Sequence, residues 1–169
     1  MATQNNTDTA SSIRDFIAGG GRLGGRSVAA LTDILTTMNT SVSTKKEVIL
    51  QAIEAGTTQT TGDGKAVFIV PSVLNGMNLV EVKAVQGTAG ITGTVDVQIR
   101  NVTDSVDMLS TKITIDTTEI GTATAATPAV IDTTKDDVAT NDVLAIDVDA
   151  IASGTAGKGL TLSLVFDLP

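Results

Sequence analysis

Two aspartates have the spacing that could support acid–base catalysis. Asp147 and Asp149 stand two residues apart in the predicted strand Val143–Ala150, so both carboxylates would lie on one face, roughly 7 Å apart. Such a pair can act as acid and base in glycoside hydrolysis. The sequence has no Trp and no Tyr on which a sugar could stack. A solvated strand face is therefore the preferred interpretation, and a polysaccharide hydrolase is the weaker hypothesis.

A second group of oxygen-bearing side chains could bind calcium, which prefers carboxylate and amide oxygens. Its members are Asp132, Asp136, Asp137, Asn141 and Asp142. Their spacing is not that of an EF-hand loop. Asp and Asn also cap turns through hydrogen bonds to nearby backbone, and this interpretation is preferred, so no metal is predicted.

The glycine-rich stretch GGGRLGGR, residues 19–26, precedes a predicted helix and could bind an anion at the helix N-terminus. It lacks the GK[ST] ending of a P-loop, and no strand comes before it. A hinge, or a basic contact with an acidic partner through Arg14, Arg22 and Arg26, is the preferred interpretation.

Several residue types are absent from the sequence, and their absence excludes some kinds of catalysis and metal site. The 169-residue chain has no His and no Cys, which removes histidine acid–base catalysis, cysteine nucleophiles, disulfides and the common zinc sites. We therefore predict no catalytic residue, no metal and no cofactor. The net charge of −8 disfavours nucleic acid and anionic membranes as partners.

The charge changes along the chain and suggests two parts. Residues 1–62 carry five basic and five acidic side chains, whereas residues 63–169 carry six basic and fourteen acidic ones. The sequence therefore predicts an N-terminal tail with helical anchoring and oligomerisation elements over 1–62, and a β domain over 63–169.

The N-terminal part has helical periodicity. Apolar residues recur at three- and four-residue spacing from Val28 to Met38, which predicts a helix beginning at Ser27. A further helix is predicted after Ser43 or Thr44, because Thr44 and Glu47 have the capping-box spacing and Gly56 suits a C-cap. Residues 57–64 are predicted to form a linker.

From Lys65 onward the apolar period is two, which predicts β-strands separated by turns. The seven predicted strands are Lys65–Val70, Leu79–Val85, Thr94–Arg100, Lys112–Asp116, Ala129–Asp132, Val143–Ala150 and Leu160–Asp167. Several short strands with no helical pattern between them favour an antiparallel β-sandwich or jelly roll.

The predicted strand Lys65–Val70 is apolar on both faces. Val67 and Ile69 alternate with Ala66, Phe68 and Val70, so they would be exposed in a lone protomer. Either the helical part or a neighbouring subunit is expected to cover them.

Four segments of the β region resemble a jelly-roll-like domain at the C-terminus of structural proteins of tailed bacteriophages. These segments are NGMNLVEVKA, VDVQIRNVTDSVDMLSTKITID, TPAVIDTTKDDVATNDVLAIDVDA and GKGLTLSLVF, within residues 63–168. The resemblance implies a non-enzymatic virion component of the capsid-decoration, head-fibre or tail-appendage type, often trimeric and anchored by its N-terminal part.

These observations predict partners and surfaces. The expected partners are further copies of the chain, as a homotrimer, and the major capsid protein or neighbouring virion proteins. The N-terminus lacks the basic and apolar regions of a secretory signal, so we expect the chain to remain in a cytoplasm or to enter a particle assembled there. The phage resemblance implies a location on the outer surface of the virion, after assembly in the bacterial cytoplasm. The predicted interface residues are Val67, Ile69, Arg14, Arg22, Arg26, Leu31, Ile34, Leu35, Ile49 and Ile53. A tail-fibre, baseplate or receptor-binding module is the alternative.

Overall fold

The structure is a computed structural model and describes residues 44–169, which form a compact unit. This part of the chain contains eleven strands and two single turns of 3-10 helix, at Ser72–Leu74 and Thr122–Thr124. The strands are β1 (Lys46–Thr58), β2 (Gly62–Ile69), β3 (Met77–Val85), β4 (Val95–Asn101), β5 (Val106–Asp107), β6 (Leu109–Thr111), β7 (Ile113–Ile115), β8 (Val130–Ile131), β9 (Asp137–Val138), β10 (Val143–Ala150) and β11 (Lys158–Asp167). The helix predicted from Ser27 and the stretch 19–26 lie outside the described residues.

The described chain is mainly β, and its strands pair antiparallel. The first sheet has the order β1-β11-β3-β9, and the second has the order β2-β10-β4-β5, with β7 also paired to β4. Strands β6 and β8 form a separate pair. The sheets curl like half a barrel around one hydrophobic cluster that takes residues from both of the larger sheets.

The core is built from alternate residues of the long strands. The predicted alternation is confirmed on the core-facing side of three strands, whose buried residues are Val95, Val97 and Ile99 in β4, Leu144, Ile146 and Val148 in β10, and Leu160, Leu162, Leu164 and Phe166 in β11. Removing these side chains from water is the main favourable contribution to the stability of the β unit.

All seven predicted strands are present; Val143–Ala150 matches β10 at both ends, and no end of the others is displaced by more than three residues. Sequence periodicity missed β5, β6 and β9, which have only two or three residues each. Strands this short contain at most one full alternation, so they carry almost no periodic signal.

The helix predicted after Thr44 is wrong, because these residues form β1. This strand pairs with β11 from Lys46↔Phe166 to Thr58↔Lys158, with register shifts around Ile53. Before the irregularity, the half-buried residues of β1 are Val48 and Leu50, two positions apart. At the irregularity, the adjacent residues Ala52 and Ile53 are both buried. A bulged strand therefore imitates the spacing of a helical stripe.

The predicted linker 57–64 is also wrong. Thr57 and Thr58 belong to β1, Gly62 begins β2, and only residues 59–61 connect the two strands. The compact unit begins at Thr44, so it takes in residues 44–62, which the sequence assigned to the N-terminal part.

Two buried glutamine side chains, of Gln59 after β1 and Gln86 after β3, form a hydrogen-bonded pair. Gln59 donates from its side-chain nitrogen to Gln86 Oε1 at 2.8 Å and to the Gly159 carbonyl at 2.9 Å. Gly157 lies against this pair, and a Cβ there would stand 2.3 Å from Gln86 Oε1. Only glycine fits at this position without displacing its neighbours.

Candidate interaction surface

The second sheet exposes two large apolar side chains on its edge strand. Val67 and Ile69 of β2 are 59% and 63% exposed and lie on the face that points away from the core. Their neighbours on β10 are Ala145 and Val143. Both were predicted as interface residues, and in the structure they form one exposed apolar strip on β2.

The other predicted interface residues do not join this strip. Ile49 is 66% exposed, but it lies on β1 in the first sheet, opposite Ser163 of β11. Ile53 is 8% exposed and belongs to the core. The remaining candidates lie outside the described residues: Arg14, Arg22, Arg26, Leu31, Ile34 and Leu35.

An ion pair stands beside the apolar strip on the same face. Arg100 of β4 lies opposite Ala145, and its Nε donates to Oδ2 of Asp147 at 2.6 Å, while Nη2 stands 3.3 Å from Oδ1. The backbone N–H of Gly64 also donates to Oδ1 at 2.6 Å. Burial raises the pKa of Asp147, but the hydrogen bonds from Arg100 and Gly64 outweigh it, so the net shift of that pKa is downward. The hydrogen bond that Arg100 donates to Asp147 raises the pKa of Arg100.

The prediction that Asp147 and Asp149 share a solvated face is wrong for Asp147, whose side chain is 7% exposed. Asp149 is about one-third exposed and binds a different cation, Lys112, at 3.0 Å. Each carboxylate thus has its own cationic partner, and the low pKa of Asp147 keeps it ionised near neutral pH. A group held in this way is a poor proton donor, so the arrangement does not favour the acid–base pair of a glycoside hydrolase.

Two carboxylates of the segment 132–142, those of Asp132 and Asp142, cap turns, as the preferred interpretation predicted. Asp132 accepts hydrogen bonds from the hydroxyl and the backbone N–H of Thr134 and pairs with Lys135 at 3.1 Å. These interactions lower the pKa of Asp132 to about 2, the Thr134 hydroxyl contributing most. Asp142 accepts from the Ala139 N–H and the Asn101 amide. Across residues 44–169, no three acidic side chains converge in a way that could hold a metal ion.

A groove of about 590 Å³ lies between residues 82–85 of β3 and the segment 121–129. Its other walls come from Ile113 and Thr114 of β7, from Thr161–Ser163 of β11 and from Ile49 of β1. Among the described residues that line it, Lys83 is the one with an ionisable side chain. The sequence did not predict this groove, because residues 117–128 have no periodicity and were interpreted as a connection.

Comparisons with known proteins place the chain in no family. No family model matches it, and neither a curated protein nor a solved structure does so. Among residues 44–169 no helix is long and apolar enough to cross a membrane.

Proposed function

We propose that the chain is a non-enzymatic structural protein of a tailed-bacteriophage particle, of the capsid-decoration or head-fibre type. In this proposal the β unit is a jelly-roll-like sandwich that follows a helical anchoring region. Two antiparallel sheets around one core support the sandwich. The four segments that carry the phage resemblance cover β3, β4 to β7, β8 to β10 and β11, in that order, apart from the last residue of β3 and of β11.

The observation that carries the proposal is the apolar strip of Val67 and Ile69 on an otherwise acidic unit. Residues 44–169 hold eight basic and sixteen acidic side chains, and such an excess keeps most surfaces apart. Exposed β-branched residues near the C-terminal end of an edge strand are costly to leave in water and favour contact with a protein surface.

The state of the carboxylates supports a role without chemistry. Asp147 and Asp149 each form a salt bridge with a basic side chain. Asp132 and Asp142 accept hydrogen bonds that cap turns. We infer that these groups fix the shape of the strands and loops. The protein then acts by contact, and the stability of a particle rises because the bound chain bridges its neighbours.

In the proposed arrangement, residues before Thr44 dock on the major capsid protein or a neighbouring virion protein. This part is charge-neutral overall, with three arginines and three aspartates, so it is not repelled by an acidic capsid as the β unit would be. Arg14, Arg22 and Arg26 are suited to bidentate pairing with carboxylates. The chain also associates with itself, and three copies are what the phage resemblance implies.

Quantitative mass spectrometry of purified phage particles tests this function. We expect the chain to remain with particles through density-gradient purification, at a copy number comparable with that of the capsid lattice. Absence from washed particles would refute the proposal, as would turnover of a polysaccharide by the purified chain.

The groove favours one alternative, a receptor-binding or baseplate module of the tail. Its volume is within the range of small-ligand sites, and its lining is mostly apolar. The same mass-spectrometric measurement separates the two functions, since a tail protein would be present at a small fraction of the copy number of the major capsid protein.

A further inference from the structure

Among the described residues, the outer edge of β2 has backbone groups with no partner as well as exposed apolar side chains. Within residues 44–169, β2 pairs only with β10 and ends the second sheet. The N–H of Val70 donates to the Asp142 carbonyl at 2.8 Å, and its own carbonyl accepts from Asn141 at 2.9 Å. The backbone N–H and carbonyl groups of successive residues point to opposite sides of a strand. Those of Phe68 and Ala66 therefore point toward β10, as those of Val70 do. Lys65, Val67 and Ile69 therefore direct their N–H and carbonyl groups away from the sheet.

The other outer strands of the two larger sheets carry features that discourage pairing with another chain. The outer strand β1 has exposed charges at Lys46, Glu47 and Glu54 and two register shifts. The outer strands β5 and β9 have only two residues each. Charges, irregularities and short length are the usual protections of a sheet edge. In β2 the two charged residues, Asp63 and Lys65, and the register shift lie in the first half of the strand. Its second half, from Ala66 to Ile69, is uncharged and pairs with β10 in a regular register.

We propose that the edge of β2 pairs with the same edge of a second copy, antiparallel about a two-fold axis at Val67. The Val67 residues of the two copies then exchange both backbone hydrogen bonds, and Lys65 of each copy pairs with Ile69 of the other. This contact deepens the self-association in the proposed function, because it names the strand and the register.

The sequence of β2 is self-complementary in this register. Ala66 of one copy falls opposite Phe68 of the other on the core-facing side, where both are half-buried in the single chain. A small residue beside a large one fills that space without a clash. On the outward face, Val67 meets Val67, and β-branched pairs of this kind stabilise neighbouring strands.

Charge also favours this edge over the rest of the surface. Residues 64–71 carry a single charge, at Lys65, in a chain with net charge −8. In the proposed register the two lysines are separated by four residues of strand, about 13 Å, which exceeds the screening length of about 8 Å at physiological salt. The general repulsion between two acidic chains weakens as salt rises, so the association should strengthen with ionic strength.

A two-fold contact joins two identical assemblies, so it doubles the number of copies that the rest of the chain brings together. The full chain of 17.2 kDa should therefore sediment as an even number of copies, two if the chain is otherwise monomeric and six if it is otherwise trimeric. Val67→Pro removes an N–H that bonds to nothing within its own sheet, and it leaves the outward face apolar. We expect this variant to halve the assembled mass, whereas Val67→Thr, which keeps the N–H, should leave the mass unchanged.

Cross-linking tests the register directly, since the chain has no cysteine of its own. Val67→Cys should place two thiols on a hydrogen-bonded pair whose Cα atoms are about 5.5 Å apart, close enough for a short bis-maleimide linker to join them. This reagent should then convert most of the full chain into covalent dimers. Val73→Cys is the matched control, because Val73 is also 59% exposed but lies outside β2, and it should cross-link at least tenfold less.

Three results would overturn the proposal: an odd number of copies for the unmodified chain, a folded Val67→Pro variant of unchanged mass, or cross-linking of Val67→Cys no faster than that of Val73→Cys. If Val67→Pro does not fold, the cross-linking comparison decides alone. These measurements are made in solution, so their outcome is independent of whether the chain is found in phage particles.

Discussion

Arg100 and Asp147 meet across two neighbouring strands, 47 residues apart in the chain, with the guanidinium Nε 2.6 Å from Oδ2 of the carboxylate. The pair joins β4 to β10 at the centre of the second sheet. The Gly64 N–H adds the start of β2 to the same carboxylate. One aspartate thus holds three strands beside the proposed contact, which makes it a structural group and a sensitive reporter of the sheet.

Asp147→Asn should destabilise the β unit by about 1–3 kcal/mol, because it removes a charged acceptor of hydrogen bonds that is almost buried. Asp149→Asn is the matched control, two residues along the same strand. Asp149 is more exposed, and within residues 44–169 its salt-bridge partner is Lys112, so its replacement should cost no more than about 1 kcal/mol. Urea unfolding followed by circular dichroism measures both; equal losses would contradict the role assigned to Asp147.

The difference between the unmodified chain and Asp147→Asn should depend on pH in a defined direction. The pKa of Asp147 is lowered in the folded state, so its ionised form stabilises the fold fully above the unfolded-state pKa of about 3.9. That contribution is lost as pH falls through the lower folded-state pKa. The two chains should therefore converge in stability at strongly acidic pH, and a gap that widened on acidification would be inconsistent with the ion pair.

Asp132 should titrate with a pKa of about 2 in a carboxyl carbon NMR experiment. Since the Thr134 hydroxyl is the largest cause of that value, Thr134→Val should raise the pKa toward the ordinary value of 3.8. Thr133→Val is the neighbouring control and should leave it unchanged. The lowered pKa means that Asp132 adds stability above its unfolded-state pKa and loses this effect as pH approaches 2. A normal pKa in the unmodified chain would show that the turn is not capped in solution.

Ile49 and Ile53 should respond differently to truncation, because β1 is a strand and not a helix. Ile53→Ala removes a buried side chain and should cost about 2–5 kcal/mol. Ile49→Ala changes an exposed position and should alter stability by less than about 0.5 kcal/mol. In the helix that the sequence predicted, both residues would lie on one apolar stripe, so similar losses in unfolding experiments would favour the helix over the strand.

A fragment comprising residues 44–169 should fold cooperatively, whereas one comprising residues 63–169 should not. The shorter fragment lacks β1, which is the antiparallel partner of β11 from Lys46 to Thr58. Its absence would expose core residues of β11, including Leu162 and Leu164. Circular dichroism and thermal unfolding of the two fragments make the comparison; cooperative unfolding of 63–169 would show that β1 is dispensable.

Periodicity predicted β4, β10 and β11 because the core-facing residues of each strand are apolar and the residues between them are mostly polar. It failed at β1, where a bulge changes the phase of the pattern, and at strands too short to show alternation. It also predicted Val67 and Ile69 as exposed apolar residues, since an apolar residue on the second face of a strand is visible in the sequence.

The state of Asp147 could not be predicted in the same way. Its burial and its partner depend on the register that places Arg100 beside it, and pairing between distant strands leaves no local pattern. The groove between β3 and residues 121–129 was missed for a related reason, since its two walls meet only through tertiary contacts.

The most direct test of the central claim is an electron cryomicroscopy reconstruction of purified phage particles that contain the chain. The account predicts density for the β unit at repeated positions on the outer surface of the head, with residues before Thr44 toward the particle. Density confined to the tail would favour the alternative module. A well-resolved particle with no density for the β unit would contradict the account.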